Sequence, residues 1–214
     1  MSTNMKKFLN FNKVLCISPH PDDIEISMSA TINKYCDTKF DIVCLSNGTA
    51  TDITSNPQRL LEVEQFWKSF KCDNVTLIQT DVKYFESMTL AQWITYLDTI
   101  VANDYDAICT TSALDSHQEH IFVNGLISPL TRNKPISIIE YKSPSTLHAW
   151  TPNYFVECSN QYKLKCNILR TAFTTQLDSP YFSEDCMHIF HTDYNCLKRG
   201  LKLVEQFKIS ILYD

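Results

Sequence analysis

Glycine is almost missing from this sequence: three residues in 214, at Gly48, Gly125 and Gly200. A phosphate-cradling loop of the dinucleotide-binding kind needs several glycines directly behind its first strand, and that reading is excluded on composition. A basic excess is missing too. The 19 Lys and Arg against 24 Asp and Glu leave a net charge of −5, and the cations are scattered, which argues against nucleic acid as a partner. No stretch approaches the roughly 18 apolar residues a membrane span needs, and Met1 to Lys13 carries charge and asparagine where a secretory leader would be apolar. Nine cysteines occur with no CxxC pair, and Cys16, Cys44 and Cys109 sit inside apolar runs. They read as free thiols used as small hydrophobes in a reducing compartment, so the expected location is cytoplasmic.

What is present is core. A chain with 44% apolar and 12% aromatic residues can bury one sizeable interior, so residues 1–214 are expected to form a single domain. The run Lys13 to Ser18 is rich in strand formers and ends at Pro19. From Asp22 onward Ile24, Met28, Ile32 and Tyr35 recur at helical spacing, with Asp22, Asp23 and Glu25 at the positive end of the macrodipole. Residues 41–46 repeat the strand pattern and lead into an Asn47-Gly48 turn and a polar loop through Asn56. Pro57 opens a helix carrying Leu60, Val63, Trp67 and Phe70 on one face. A strand at 75–79, a helix through Leu90, Ile94, Leu97 and Val101, a strand at 107–111, a helix through Phe122, Leu126 and Leu130, and a strand at 136–142 continue the alternation. Strands alternating with helices predict an α/β fold, a mostly parallel sheet with helices on both faces. The rest is less regular: a strand at 154–158, a helix at 161–173 and a last helix at 193–207.

Two stretches carry chemistry. Pro19-His20-Pro21-Asp22-Asp23-Ile24-Glu25 follows the first strand, and Asp115-Ser116-His117-Gln118-Glu119-His120 follows the fourth. Ligands of such sheets collect at the carboxyl ends of strands, so a separation of about a hundred residues becomes proximity in space. His20 and Asp23 can converge on one ion, and His120 is the best third ligand. A two-histidine, one-carboxylate set leaves an open position for water, as catalytic zinc sites do. One Zn2+ per chain is the expected cofactor, with other divalent metals possible on the same ligands. Asp22 is the candidate general base. His117 is expected to stabilise an oxyanion or protonate a leaving amine, with Glu119 or Asp115 holding its ring and favouring the imidazolium. Glu25 and Asp115 are expected in supporting positions behind the ligands. His148, His188 and His191 lack carboxylates at ligand spacing and are not expected to bind metal, although one of them can line the pocket.

On these two motifs the chain resembles the PIG-L/LmbE family of zinc-dependent N-acetylglucosamine deacetylases and related amidases. Further agreement runs through Arg59 and Glu62, Lys165, Thr175 and Gln176, Arg199 and Gly200, and Glu205 and Phe207. The resemblance implies a Rossmann-like layer and a smaller C-terminal portion, from about residue 143, that shapes the substrate pocket. It implies zinc on His20, Asp23 and His120, with Asp22 as base, His117 as oxyanion stabiliser or acid, and Arg59 near the sugar. The implied reaction removes an N-acetyl group from an N-acetylglucosamine-like conjugate. A metal-dependent phosphoesterase and an inactive sugar-binding relative are the alternatives. Gln118-Glu119 stands where the family has Pro-Asp, and Ser27 and Ser29 where it often has glycine. Which conjugate is cleaved, and whether the chain forms oligomers, stay open.

Overall fold

A computed structural model describes residues 6–46, 57–78, 85–102 and 104–213. The elements in chain order are β1 (Lys13–Ser18), α1 (Asp23–Lys34), β2 (Lys39–Cys44), α2 (Pro57–Phe70), β3 (Val75–Ile78), α3 (Leu90–Val101), β4 (Ala107–Thr110), α4 (Gln118–Thr131), β5 (Ser137–Tyr141), β6 (Tyr154–Glu157), α5 (Ser159–Ala172), α6 (Glu184–Phe190), α7 (Tyr194–Lys198) and β7 (Val204–Ile211). The polar loop expected at 47–56, with its Asn47-Gly48 turn, lies outside the described residues.

The seven strands form one sheet in the order β3-β2-β1-β4-β5-β7-β6. The first five are parallel, and β7 pairs antiparallel with both β5 and β6. β1 feeds β2 on one side while β4 lies on its other side. The connections therefore diverge between β1 and β4, and a crevice opens there at the strands' carboxyl ends.

Strand periodicity sorts the core into two layers. Val14 and Cys16 of β1 pack with Ile24, Met28, Phe66 and Ile168 on the face covered by α1, α2 and α5. Leu15 and Ile17, pointing the other way, pack with Trp93, Leu97, Val123 and Leu126 of α3 and α4. Every residue of α1 from Asp23 to Ile32 is buried, so its polar side chains need partners inside the protein.

The C-terminal third departs from the sequence reading. Residues 193–207 are not one helix: α7 stops at Lys198 and β7 begins at Val204. Tyr194, Leu197, Leu201 and Val204 do recur at helical spacing, but Gly200 adopts a φ of +84°, the left-handed conformation that closes a helix. Beyond it Phe207, Ile209 and Ile211 alternate with polar residues, a period of two that the helical match obscured. α6 had no sequence-based expectation at all. The C-terminal region thus adds two strands to the same sheet.

Candidate metal centre

The turn from β1 into α1 delivers three site residues. Asp22 caps α1 with a φ of 123°, a conformation rare for a residue with a side chain. Such backbone strain costs roughly 1–3 kcal/mol and persists where surrounding contacts over-determine it. Here His20 N–H donates to Asp23 Oδ2 at 2.8 Å, and Arg59 Nη2 donates to Pro21 O at 2.6 Å and to Asp22 Oδ2 at 2.9 Å.

The second stretch meets the first. His20 Nδ1 lies 3.3 Å from Asp23 Oδ2, His120 Nε2 lies 3.4 Å from Asp23 Oδ1, and the two nitrogens are 3.2 Å apart. Tetrahedral zinc with bonds of about 2.0–2.2 Å holds neighbouring nitrogen and oxygen ligands about 3.3–3.5 Å apart. The donor set and its spacing therefore fit a zinc ion.

The outward nitrogens are engaged as histidine ligands require. His20 Nε2 meets the Glu119 carboxylate, and His120 Nδ1 meets Asp115 Oδ2 at 3.1 Å. Carboxylates in these positions fix which ring nitrogen faces the metal and raise its basicity. Burial opposes the charge on His20, but Asp23 and Glu119 outweigh it and raise its pKa to about 9. Asp23 and Asp115 likewise overcome burial and raise His120 to about 10. Asp23, although buried, is held well below the usual carboxylate range by His120 and His20. Asp115 is lowered in the same way by His120, Ser143 and Ser145.

This arrangement corrects the expected support of His117. Neither Glu119 nor Asp115 holds its ring: the extra methylene of Glu119 carries its carboxylate to His20, and Asp115 reaches the His117 backbone N–H at 2.8 Å while serving His120. His117 is instead the N-cap of α4, with Nδ1 accepting from Glu119 N–H at 3.3 Å. Burial, then the neighbouring charges of His20 and His120, lower its pKa, which favours neutral imidazole rather than imidazolium. With Nδ1 an acceptor, the neutral ring carries its proton on Nε2. Ring nitrogens of His20, His117 and His120 all lie within 4.8 Å of one another, so a metal could be held by these three histidines as well as by His20, His120 and Asp23.

Asp22 is 5% exposed, and burial with the adjacent Asp23 pushes its pKa up to about 7 against the pull of Arg59. Glu25 lies deeper. Burial pushes it up to about 8, and its Oε1 accepts from Trp67 Nε1 at 2.5 Å, so it ties α2 to α1 and touches no ligand ring. Arg59 lines the cavity but is bonded to Asp22, a contact the motif pattern did not foretell.

Sequence reasoning also missed the segment after β5. Ser143 Oγ donates to Asp115 Oδ2 at 2.6 Å, Thr146 Oγ1 lies 3.3 Å from the same oxygen, and Ser145 Oγ is 3.3 Å from His120 Nδ1. A hydroxyl-rich Ser143-Pro144-Ser145-Thr146 run at a strand's carboxyl end was the available signal. A cavity of about 940 Å3 opens over the centre, lined by His20, Asp22, Asp23, His117 and His120 and extending to Lys142, Trp150, Phe190 and Gln206. His148 lines it as well, whereas His191 is fully buried away from the metal ligands against Lys165.

The PIG-L family, GlcNAc-PI de-N-acetylase, matches residues 15–130, which contain both motifs. The chain belongs to this family. A diacetylchitobiose deacetylase of Thermococcus kodakarensis is 50% identical over 38 residues, 18% of this chain and 14% of that protein, so the match spans a small part of the relative's length. The N,N'-diacetylchitobiose deacetylase of Pyrococcus horikoshii superposes with a TM-score of 0.77 at 20% identity, over 98% of this chain and 88% of that one. A 4-carboxy-2-hydroxymuconate hydratase of Pseudomonas putida KT2440 superposes at 0.67 with 11% identity, over 95% and 98%. Proteins named as a deacetylase and as a hydratase thus share this fold, and the side chains must decide the chemistry. No helix among the described residues is long and apolar enough to cross a membrane.

Proposed function

We propose that the protein is a zinc-dependent hydrolase that removes an N-acetyl group from an N-acetylglucosamine-like conjugate, releasing acetate and a free amine. The observation that carries this reading is the trio of His20 Nδ1, His120 Nε2 and the Asp23 carboxylate at zinc-ligand spacing, with Asp22 beside it in the cavity wall. Family membership supports the reaction class. The residues 1–214 are read as one domain whose portion from about 143 shapes the pocket, supported by the cavity lining at Ser143, His148, Trp150, Tyr181, Phe190 and Gln206.

His20, Asp23 and His120 hold the metal. When bound, zinc supplies Lewis acidity, lowering the pKa of a coordinated water to about 7 and polarising a carbonyl. Asp22, buried and raised to about 7, is matched to accept a proton as water attacks the acetamide carbon near neutral pH. His117 donates from Nε2 to the carbonyl oxygen as negative charge develops there. As the C–N bond breaks, the proton held by Asp22 passes to the departing amine, leaving acetate. Glu119 and Asp115 keep the His20 and His120 rings turned correctly, and Arg59 holds Asp22 in place.

Acetate and new primary amine should appear together when the zinc-loaded protein meets N-acetylhexosamine conjugates. Chelation should stop their release, and added metal should restore it. Metal-dependent release of phosphate from phosphate esters with no acetate from any conjugate would replace this reading with a phosphoesterase.

A further inference from the structure

We propose that the cavity contains an anion subsite beyond the metal centre, in which Lys142 recognises a carboxylate or phosphate borne by the substrate outside its acetylated sugar. The inference rests on the deacetylase reading for the part of the substrate that meets the histidines. The subsite itself rests on the surroundings of Lys142.

Lys142 directly follows β5 and is pinned to the sheet, its backbone N–H donating to Gln206 O at 3.1 Å. β5 lies two strands from β1, with β4 between them. At about 4.8 Å per strand this places Lys142 roughly 10 Å along the crevice from the strand end that bears His20. Its side chain lines the same cavity as the metal ligands, among the apolar walls of Trp150, Pro152, Met187 and Phe190. The volume leaves room for a substrate larger than one sugar. An N-acetylhexosamine has about 15 non-hydrogen atoms, and even at the roughly 30 Å3 that a water occupies in the liquid these need only about 450 Å3. That is less than half of the 940 Å3 present.

The charge on Lys142 is poorly answered from within. An ammonium group has three N–H donors. Among the described contacts Nζ makes one hydrogen bond, to Phe190 O at 3.3 Å, and stands 5.0 Å from the centroid of the Phe190 ring. It has no ion-pair partner among the described residues. Burial lowers its pKa, the sign of a cation that has lost water without gaining an equivalent partner. Asp193 favours the charge from a distance, but its carboxylate caps α7 by accepting from Cys196 N–H at 3.0 Å. Glu140, two residues earlier on β5, is occupied by Trp150 Nε1 and Ser210 Oγ and pairs with Lys208. The contrast with the metal end is direct, since Arg59 there is already matched to Asp22. An anionic group entering the cavity would meet a partly buried cation with two donors that no described protein atom uses, where a charge-assisted hydrogen bond is stronger than in open water.

Three probes on one sugar test this with the full zinc-loaded chain: methyl N-acetylglucosaminide, its carboxymethyl counterpart and N-acetylglucosamine 1-phosphate. The expected result is kcat/KM at least tenfold higher for an anionic probe than for the methyl glycoside, and whichever of carboxylate and phosphate gains more identifies the group. Lys142→Met should erase that preference while changing the methyl glycoside less than threefold, and Lys142→Glu should invert it. Equal turnover of all three probes, or a preference that survives Lys142→Met, overturns the subsite. Calorimetric binding of the same probes separates the two readings. Lys142-dependent binding of the anionic probes without acetate release would keep the subsite and sink the deacetylase. Binding with no preference for charge would sink the subsite whatever the reaction.

Discussion

His20, Asp22 and Asp23 sit at the start of a helix whose backbone is gripped by a buried ion pair, whereas Asp115, His117 and His120 sit at a helix start that leans on neutral hydroxyls. In the first half, Lys165 Nζ donates to Ile26 O at 2.5 Å, to Glu205 Oε1 at 2.5 Å and to His191 Nε2 at 2.9 Å, which uses all its donors. Glu205 in turn accepts from Ala30 N–H at 3.0 Å and from Thr31 N–H and Oγ1 at 2.6 Å each. His191 stays neutral because burial, then Lys165, push its pKa well down, and its Nδ1 meets Met187 O at 2.7 Å. In the second half the hydroxyls of Ser143, Ser145 and Thr146 stand behind Asp115 and His120, and Thr111 Oγ1 donates to His120 O at 2.8 Å. The half that carries Asp22 is clamped by a buried ion pair, and the half that carries His117 rests on neutral hydroxyls that bond the Asp115 carboxylate.

The largest effect should come from the base itself. Asp22→Asn keeps the three ligands and the size of the side chain but removes the proton acceptor, so turnover should fall about 10²- to 10⁴-fold. Zinc content, measured on the purified variant, should remain at the level of the unaltered protein. Loss of metal together with activity would instead make Asp22 part of the ligand set.

Next in size is the clamp. Lys165→Met leaves the Glu205 carboxylate buried without its cation, which should cost about 3–5 kcal/mol in urea unfolding. Adding Glu205→Gln removes the orphaned charge while keeping an acceptor for the α1 backbone, and should recover much of that loss. A double variant no more stable than Lys165→Met would show that the pair acts through packing rather than charge.

How much of this could be read beforehand divides along the same line. The alternation of strands and helices through residue 142, and the meeting of His20 with His120, follow from hydrophobic period and strand-end logic, which are local signals. The buried clamp does not, because Lys165, His191 and Glu205 are distant from one another in sequence and only the folded sheet brings them to α1. The Lys165 and Glu205 matches to the family pattern hinted at importance without indicating that the two touch. The same limit explains Glu119: its position two residues after His117 pointed to that ring, but helix geometry from the His117 cap turns it toward His20. The strand at 204–211 was hidden because helical spacing ran across Gly200, whose conformation the pattern does not encode.

A smaller effect is expected from the carboxylates behind the ligands. Asp115→Asn should weaken zinc binding about 10- to 100-fold, the usual consequence of losing a partner behind a ligating histidine. The protons provide an independent check. The raised pKa values, about 9 for His20 and about 10 for His120, favour a proton on this ring pair below pH 6.5 that is lost as pH rises past those values, while the 3.2 Å contact between His120 Nε2 and His20 Nδ1 leaves one of the two nitrogens as acceptor. At pH 7 zinc must therefore displace at least one proton, and calorimetry in buffers of different ionisation enthalpy should count one or more released per metal. A count near zero would mean that the rings are already neutral before metal arrives.

The smallest predicted change probes the neutral side of the comparison directly. Ser143→Ala removes the 2.6 Å hydrogen bond to Asp115 Oδ2. Thr146 Oγ1 still reaches that oxygen, and the contact with His120 remains. A single hydrogen bond to a charged acceptor with a remaining partner is worth about 1–2 kcal/mol. Zinc affinity should therefore drop by only about five- to thirtyfold, and stability by less than a Lys165→Met change costs. Because Asp22 and Asp23 stand on the other half, kcat of the fully zinc-loaded Ser143→Ala variant should stay within about threefold of the unaltered protein. A large fall in kcat at saturating zinc would mean that the two halves move together, so that a neutral hydroxyl on one side governs the placement of the base on the other.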